Sequence, residues 1–209
     1  MAAFFSNLRN TVIAGFVIAL IVLAIHWSLG GMNLGDEVFW AFIVRWAHII
    51  CGVMWIGLLW YFNFVSTPTT PSIPQELRPA LGKYITPAAL FWFRWGAMGT
   101  IVFGLILAGM NNYILQALTL DFADTNGALS TTSYLMIGIG MWFGIIMWFN
   151  VWFIIWPNQQ KALNIGNRYP DLSAEAKAAS AKTAGMYSRV NTMLSIPMLF
   201  CMAAATHWP

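Results

Sequence analysis

The pattern of apolar and polar positions divides the chain into five long apolar runs joined by polar connections. These runs cover roughly residues 11–30, 39–65, 88–115, 132–156 and 189–206. A helix needs about 20 apolar residues to cross a bilayer, and each run is close to or above that length. Because a spanning segment must pair its own backbone groups, the pattern predicts an all-α integral membrane protein with five transmembrane helices. We therefore treat residues 1–209 as a single transmembrane domain.

Composition agrees with this interpretation and excludes other classes. The chain is 59% hydrophobic and 8% charged, whereas a soluble domain carries about 25% charged residues. Its net charge of +3 is small, and most of the basic residues lie outside the apolar runs, so a nucleic-acid partner is not predicted. Cys51 and Cys201 belong to no CxxC or CxxCH motif, which leaves a disulfide framework and a covalent c-type haem unsupported. The first run lacks a small-residue cleavage site and is predicted to be a retained helix.

The charges of the connections predict the orientation of the helices. The first and third connections carry acidic residues without bases, namely Asp36, Glu37, Asp121 and Asp124. The basic residues precede the first helix or lie in the second and fourth connections, namely Arg9, Arg78, Lys83, Lys161, Arg168, Lys177 and Lys182. Lys and Arg accumulate on the cytoplasmic side of membrane proteins. The N-terminus is therefore predicted to be cytoplasmic and the C-terminus to lie outside.

Two of the basic connections have predicted structure of their own. Residues 67–74 are rich in proline, which lacks the backbone N–H that a helix interior needs, so they are not expected to continue a helix. Residues 172–185 are rich in Ala and Lys and are expected to form a short cytoplasmic helix.

An internal similarity links the second and fourth runs. The pattern Met-Trp-x-Gly-x-x-x-x-Phe-Asn occupies residues 54–63 and again residues 141–150, and a proline follows each time. The next runs carry Arg94 and Arg189 near their starts, each with a methionine four residues later. The pattern predicts two repeated hairpins that build a four-helix bundle, plus one N-terminal helix, with a site between the halves. Chance is the alternative, because Trp, Gly and Phe are frequent in membrane sequences.

Histidines and one arginine inside the apolar runs are the first candidates for chemistry. Arg45 and His48 lie one helical turn apart in the second run, where a charge costs roughly 2.5–3.5 kcal/mol. In the predicted topology His26, His48 and His207 all lie toward the outer side, and imidazoles at one level are the ligands of a b-type haem. Arg45 can pair with a haem propionate, and Trp55 is a candidate contact for a flat ligand. The alternative for His26 and His207 is that they are ordinary interfacial residues.

No HxxxH or HxE spacing occurs, so no dedicated metal site is predicted. A second set of polar residues lies near the cytoplasmic ends of the helices. Arg94 either reaches the interface with its long side chain or sits in a cation–π cradle of the flanking aromatics. Asn63 and Asn150 are predicted to form interhelical hydrogen bonds. Arg189 and Asn191 belong to the polar stretch 188–197, where Pro197 frees a carbonyl that Ser or Thr side chains can help to satisfy.

Small residues within the runs predict places of close packing. They are Gly52, Gly96, Gly99, Gly140 and Gly144. A glycine lets a neighbouring helix or a planar ligand approach the backbone.

Several of these stretches resemble one known family. They are HIICGVMWIG at 48–57, YFNF at 61–64, FRWGA at 93–97, MWFNVWFIIWPNQQ at 147–160 and SRVNTMLSIPMLF at 188–200, continuing to His207. They are similar to the membrane domain of the bacterial membrane-bound urate oxidases (urate hydroxylases). The resemblance covers most of the second to fifth runs and implies a redox protein of the bacterial inner membrane with a periplasmic C-terminus. A cytochrome c domain often follows in that family, and since this chain has no CxxCH motif, a separate cytochrome c is the implied electron acceptor.

Two functions remain open from the sequence. The first is a membrane oxidoreductase resembling the urate-oxidising family. The second is a non-catalytic or haem-binding small subunit of a larger respiratory or photosynthetic electron-transfer complex. A transporter is a weaker third, because no run shows paired carboxylates for proton coupling. The tryptophans of the fourth run, Trp142, Trp148, Trp152 and Trp156, predict association with another subunit, a pigment or lipid; an interfacial belt is the alternative.

Overall fold

The structure is a computed structural model that describes residues 2–30, 34–120 and 130–207, without the side chains of residues 2–3, 130–133 and 206–207. Every regular element in these ranges is helical. The long helices are α1 (Leu8–Ser28), α2 (Glu37–Ser72), α3 (Arg78–Met110), α4 (Ser130–Phe149, continuing through Asn150–Ile155 and Trp156–Leu163) and α5 (Ala174–His207). Shorter helices occupy Ala2–Phe5, Ile114–Leu118 and Ile165–Asn167.

Within the described residues, four helices are long and apolar enough to cross a membrane: α1, α2, α3 and α4. The all-α character predicted from the sequence is confirmed, and the length and apolar composition of these four helices are suited to a membrane. The fifth span stays a prediction, because α5 is not among the four. Residues 174–185 of the Ala- and Lys-rich stretch are helical, but they do not form a separate short helix. They belong to the first half of α5, and the Ser173 hydroxyl caps that helix by accepting the N–H of Ala176.

Three wide helical turns lie within the long helices, each directly before a proline. These π-helical turns are Tyr61–Ser66, Leu81–Ile85 and Asn150–Ile155, and their prolines are Pro68, Pro87 and Pro157. In each case the residue before the proline donates its N–H to the carbonyl five residues back. These pairs are Thr67 with Phe62, Thr86 with Leu81, and Trp156 with Val151.

The wide turn explains why these helices do not stop at proline. A proline inside a regular helix clashes with the carbonyl four residues earlier and supplies no N–H. A turn with one extra residue moves that carbonyl away from the ring, so the helix can continue. The expectation that the Pro-rich residues 67–74 do not continue a helix was therefore wrong for residues 67–72. Here α2 continues through Pro68 and ends in a 3₁₀ turn at Ser72.

The chain divides into two compact units, Met1–Ile43 and Val44–Pro209. In the first unit, α1 begins after Asn7, whose side chain accepts the N–H of Arg9. No residue of α1 is buried, and its apolar residues lie all round the helix. A helix of this kind suits contact with lipid on all sides.

In the second unit, four helices share one apolar core. The core residues of α2 and α3 are Trp55, Ile56, Leu59, Leu90, Phe93 and Ala97. Those of α4 and α5 are Met147, Val151, Ile155, Ala184 and Met198. These contacts agree with helices packed side by side, whereas the superposition of two repeated hairpins stays a prediction. The predicted repeat pair Trp55 and Trp142 differs in environment, since Trp55 is fully buried and Trp142 is 42% exposed.

Glycines mark the closest approaches between these helices. A methyl group added to Gly96 of α3 would lie 3.2 Å from the backbone nitrogen of Trp55 and 3.3 Å from the Cys51 carbonyl of α2. A methyl group on Gly140 of α4 would lie 3.1 Å from Cβ of Cys201 on α5. The close packing predicted at these glycines is confirmed. At Gly52 and Gly144 the nearest atoms are at ordinary contact distances.

Candidate functional site

The imidazole of His48 is held against α3. Its Nδ1 lies 2.8 Å from the Thr100 carbonyl oxygen, and the ring packs beside Gly104, where an added methyl group would lie 3.0 Å from Cε1. The Thr100 hydroxyl in turn donates to the Gly96 carbonyl at 2.8 Å. A residue with a side chain at position 104 would displace the ring, so α3 supplies both the acceptor and the space that orient His48.

This hydrogen bond fixes which nitrogen of His48 carries the proton. A carbonyl oxygen accepts only, so Nδ1 must be the N–H donor, and in the neutral ring Nε2 keeps its lone pair. Ligating histidines commonly donate their other ring N–H to a backbone carbonyl in the same way, which sets the tautomer and the ring orientation. The arrangement is suited to ligation or proton acceptance at Nε2.

Arg45 and Tyr113 lie near the His48 end of the unit. Arg45 is exposed one turn before His48. Tyr113 follows α3, and its ring stacks on Tyr134 with centroids 6.1 Å apart. Burial raises the pKa of the Tyr113 phenol, and the positive charge of Arg45 lowers it. We call Arg45, His48, Thr100, Gly104 and Tyr113 together the His48 site.

The other predicted haem contacts are distributed differently. His26 is exposed on α1, which belongs to the first unit. His207 ends α5, and its side chain lies outside the described residues. Trp55 is fully buried two helical turns from His48. In the described part of the chain, no three His, Cys, Asp or Glu side chains are grouped so that they could hold a metal ion.

Arg94 meets the aromatic face of α4. Its guanidinium carbon lies 3.7 Å from the ring centroid of Trp156 and 5.2 Å from that of Trp152. Trp152 also contacts the neighbouring Trp95 edge to face, with centroids 5.5 Å apart. A cation–π cradle is thus present, but its rings come from α4 and not from the residues flanking Arg94. The two tryptophans are four residues apart and therefore lie on one face of that helix.

Four buried side-chain N–H groups of the second unit have no hydrogen-bond acceptor among the described residues. They are Nε of Arg94 and the indole Nε1 atoms of Trp55, Trp148 and Trp152. Trp148, Trp152 and Trp156 pack against the core that contains Trp55. We call Arg94 and these four tryptophans the indole–guanidinium cluster. A buried donor without a partner costs about 1–3 kcal/mol, so four in one cluster call for an explanation.

A row of polar residues on α5, in contrast, has hydrogen-bond partners for its side chains. Ser188, Asn191 and Ser195 face α2 and α4, and we call these three residues with their partners the α5 seam. On the α2 side, Asn63 donates to the Ser188 hydroxyl at 2.8 Å and Trp60 donates to the Ser195 hydroxyl at 3.0 Å. The spacings of three and four residues place all three on one face of the helix.

On the α4 side of the seam, Asn191 uses both ends of its amide. Its Oδ1 accepts from Asn150 at 2.9 Å, and its Nδ2 donates to the Met147 carbonyl at 2.9 Å. Asn191 and Ser195 are fully buried, and Asn150 is 6% exposed. The predicted interhelical hydrogen bonds of Asn63 and Asn150 are confirmed. The Ser195 hydroxyl donates to the Thr192 carbonyl, so the carbonyl that Pro197 frees, that of Met193, is not the one it satisfies.

Some residues of these arrangements were not predicted. Thr100, Gly104 and Tyr113 carry no sequence signal that links them to His48, because the link is made between helices. Ser188 and Ser195 lay in a stretch already marked as polar, and their spacing to Asn191 was the signal that could have identified the seam. Arg189 is exposed and lies outside it.

No protein-family model, curated protein or solved structure matches this chain.

Proposed function

We propose that the chain is a membrane-embedded redox protein, similar to the membrane domain of urate oxidases, that donates electrons to a separate cytochrome c. The observation that carries the proposal is the hydrogen bond from Nδ1 of His48 to the Thr100 carbonyl, which leaves the Nε2 lone pair free in a half-buried position. A redox group bound through nitrogen requires this lone pair.

The residues of the His48 site fit a b-type haem with one protein ligand from this unit. His48 would hold the iron through Nε2, and Arg45 would pair with a propionate one turn away. Trp55, two turns further along α2, is fully buried in the shared core, and its contact with such a group stays a prediction. Such a haem supplies one-electron transfer. The chain's own part is to fix the imidazole through Thr100 and Gly104 and to hold a positive charge at Arg45.

The orientation inferred from the loop charges agrees with electron delivery on the periplasmic side of the membrane. We place the protein in the bacterial inner membrane with the N-terminus cytoplasmic and the C-terminus periplasmic. The His48 site then lies toward the periplasmic side, while Arg78, Lys83 and Lys161 lie toward the cytoplasm. A soluble periplasmic cytochrome c would meet the end of the protein that carries the redox group.

Urate-dependent reduction of cytochrome c tests the proposal. Membranes that contain the protein are mixed with urate and oxidised cytochrome c, and cytochrome reduction is followed by absorbance. We expect reduction with the unchanged protein and its loss in His48→Ala. The matched control is Asn158→Ala, because Asn158 bonds only the Ile154 carbonyl of its own helix. Equal rates with and without urate, or full activity of His48→Ala, would contradict the proposal.

A second function rests on the exposed aromatic residues of the helices. Phe91, Trp92 and Trp95 on α3 are each about half exposed, as are Phe149 and Phe153 on α4. The aromatic face was predicted from four α4 tryptophans, but three of them pack against the core. The exposed aromatic residues of α3 and α4 are therefore mostly different ones. Such surfaces favour a non-catalytic or haem-binding subunit within a larger electron-transfer complex. Mild detergent extraction followed by native mass measurement distinguishes the two functions, because a complex subunit should co-purify with its partners.

A further inference from the structure

We propose that Gly104 is a positioning residue that decides which ring nitrogen of His48 is free to bind a ligand. The inference rests on the proposed function in one respect only, namely that the free nitrogen serves a redox group. The placement of the imidazole against α3 depends on contacts within the chain alone.

The first argument is that Gly104 and His48 meet at the same carbonyl oxygen. Within a helix the Thr100 carbonyl accepts the N–H of the residue four positions later, which is Gly104. Nδ1 of His48 lies 2.8 Å from the same oxygen. A carbonyl has two lone pairs and can accept twice. A helical side chain covers the turn that precedes it, so a residue other than glycine at position 104 would stand over this carbonyl.

The second argument is the room that a side chain would need. A methyl group on Gly104 would lie 3.0 Å from Cε1 and 3.1 Å from Nδ1 of His48. Atoms in ordinary contact lie about 3.5–4.0 Å apart, so the ring would have to retreat from α3 by about half an ångström. An N–H···O bond reaches to about 3.2 Å, and this retreat would stretch the bond to the Thr100 carbonyl past that limit.

The third argument is that α2 cannot easily retreat in place of the ring. An added methyl group on Gly96 would lie 3.2 Å from the backbone nitrogen of Trp55 and 3.3 Å from the carbonyl oxygen of Cys51. A methyl group on Gly99 would lie 2.6 Å from Sγ of Cys51. These contacts hold α2 against α3 in one register. The strain of a side chain at position 104 therefore falls on the imidazole.

The consequence concerns the proton of the imidazole. Without its bond to the Thr100 carbonyl, a neutral imidazole can carry the proton on either nitrogen. The form with the proton on Nε2 has no lone pair there and cannot hold a group at that atom. Gly104 therefore acts through His48, by keeping the proton on Nδ1.

The experiment detects the proton on Nδ1 directly. The full-length protein is produced with isotopically labelled histidine, and nitrogen NMR is recorded in detergent above the pH range in which imidazole ionises, with His48→Ala to assign the signals. We expect the unchanged protein to carry the proton on Nδ1. In Gly104→Ala the ratio of the two forms should shift by about tenfold toward Nε2–H, as expected for the loss of one hydrogen bond.

Two other glycines of α3 provide matched controls. Gly99→Ala strains the same pair of helices at Cys51, whereas Gly109→Ala adds a methyl group that has no neighbour within 4 Å. Both variants should keep the proton on Nδ1. If Gly104→Ala does not fold, its combination with His48→Ala should fold, because the smaller residue removes the contact. An unchanged ratio in folded Gly104→Ala, an equal shift in Gly99→Ala, or a combined variant that still does not fold would overturn the proposal.

Haem absorbance separates this inference from the proposed function. In a haem-binding protein, Gly104→Ala should lose the absorbance although His48 is present, and Gly109→Ala should keep it. Unchanged absorbance in Gly104→Ala would overturn the positioning role. A protein without haem would contradict the proposed function, whereas the proton on Nδ1 would still support the role of Gly104.

Discussion

The α5 seam and the indole–guanidinium cluster are two polar regions of the same helical unit, and they handle their polar groups in opposite ways. In the seam, the amides of Asn150 and Asn191 and the hydroxyls of Ser188 and Ser195 are joined across three helices. In the cluster, a guanidinium and three indoles keep buried donors that have no acceptor among the described residues. The difference separates polar groups that join helices from polar groups that stay unpaired in the packed interior.

Physical chemistry gives this contrast its meaning. An unpaired polar group inside a membrane protein is costly, because lipid tails offer it no hydrogen bond. The seam avoids that cost by itself, and so it needs nothing further to be stable. The cluster does not avoid it within the described residues, so removing one of its unpaired donors should cost less than removing a paired donor of the seam. The following predictions test this division.

The largest expected effect is the loss of the central amide of the seam. Asn191→Leu removes both interhelical bonds of Asn191 and leaves the Asn150 amide buried without its acceptor. We expect a loss of about 1–3 kcal/mol in the free energy of unfolding, the cost of an unpaired buried group. Denaturant unfolding in detergent measures it. Asn158→Leu is the control. An equally large loss in the free energy of unfolding in that variant would mean that replacing any interior Asn by Leu has the same effect.

A glycine contact at another point of α4 should follow in size. Gly138 of α4 packs directly on the Ala117 carbonyl of the helix Ile114–Leu118, with no room for a methyl group. Gly138→Ala should lower the unfolding midpoint clearly, because the short helix must move. Gly57 has no neighbour within 4 Å of the same position, so Gly57→Ala should be neutral or stabilising by up to about 1 kcal/mol, the helix preference of Ala over Gly. A midpoint that falls equally in both variants would refute this packing.

A pair of Trp→Phe exchanges compares the two regions most directly. Trp60→Phe removes an N–H that donates to Ser195, whereas Trp148→Phe removes an N–H that has no acceptor in the protein. Both exchanges lose a similar volume of ring. We expect Trp60→Phe to cost about 0.5–1.5 kcal/mol more in the free energy of unfolding than Trp148→Phe. A larger loss of unfolding free energy in Trp148→Phe than in Trp60→Phe, measured in detergent, would contradict this assignment of the N–H groups with and without an acceptor.

The smallest expected effect concerns the charge at the His48 site. Burial raises the pKa of the Tyr113 phenol, and Arg45 opposes that shift. Arg45→Gln removes the opposing positive charge, so the pKa of Tyr113 should rise further. Ultraviolet titration of the phenolate, with Tyr113→Phe to assign the signal, measures the change. A pKa that falls or stays constant in Arg45→Gln would mean that the two groups do not interact.

The sequence predicted the parts of the fold that depend on local pattern. Apolar run length predicted the four helices long enough to span, and the polar character of Asn63 and Asn150 predicted interhelical bonds. It did not predict helix continuation past Pro68 and Pro157, because the wide turns that permit it leave no composition signal. Nor did it identify the rings around Arg94, since its sequence neighbours are aromatic too and only the packing of α3 on α4 selects Trp152 and Trp156.

The same limit applies to His48. Its position within an apolar run was sufficient to mark it as a candidate. The tautomer was not predictable, because it depends on the Thr100 carbonyl of another helix. The sequence alone therefore did not predict which residues of different helices contact each other at the candidate sites.

A difference spectrum tests the central claim of a redox group at His48 most directly. The protein is purified from a haem-replete host, and reduced-minus-oxidised absorbance and a pyridine haemochrome assay are recorded for the unchanged chain and for His48→Ala. The account predicts b-type haem absorbance in the unchanged protein and its loss in a His48→Ala variant that still unfolds cooperatively. Absence of a Soret band in the unchanged protein, or an identical spectrum in the variant, would contradict it.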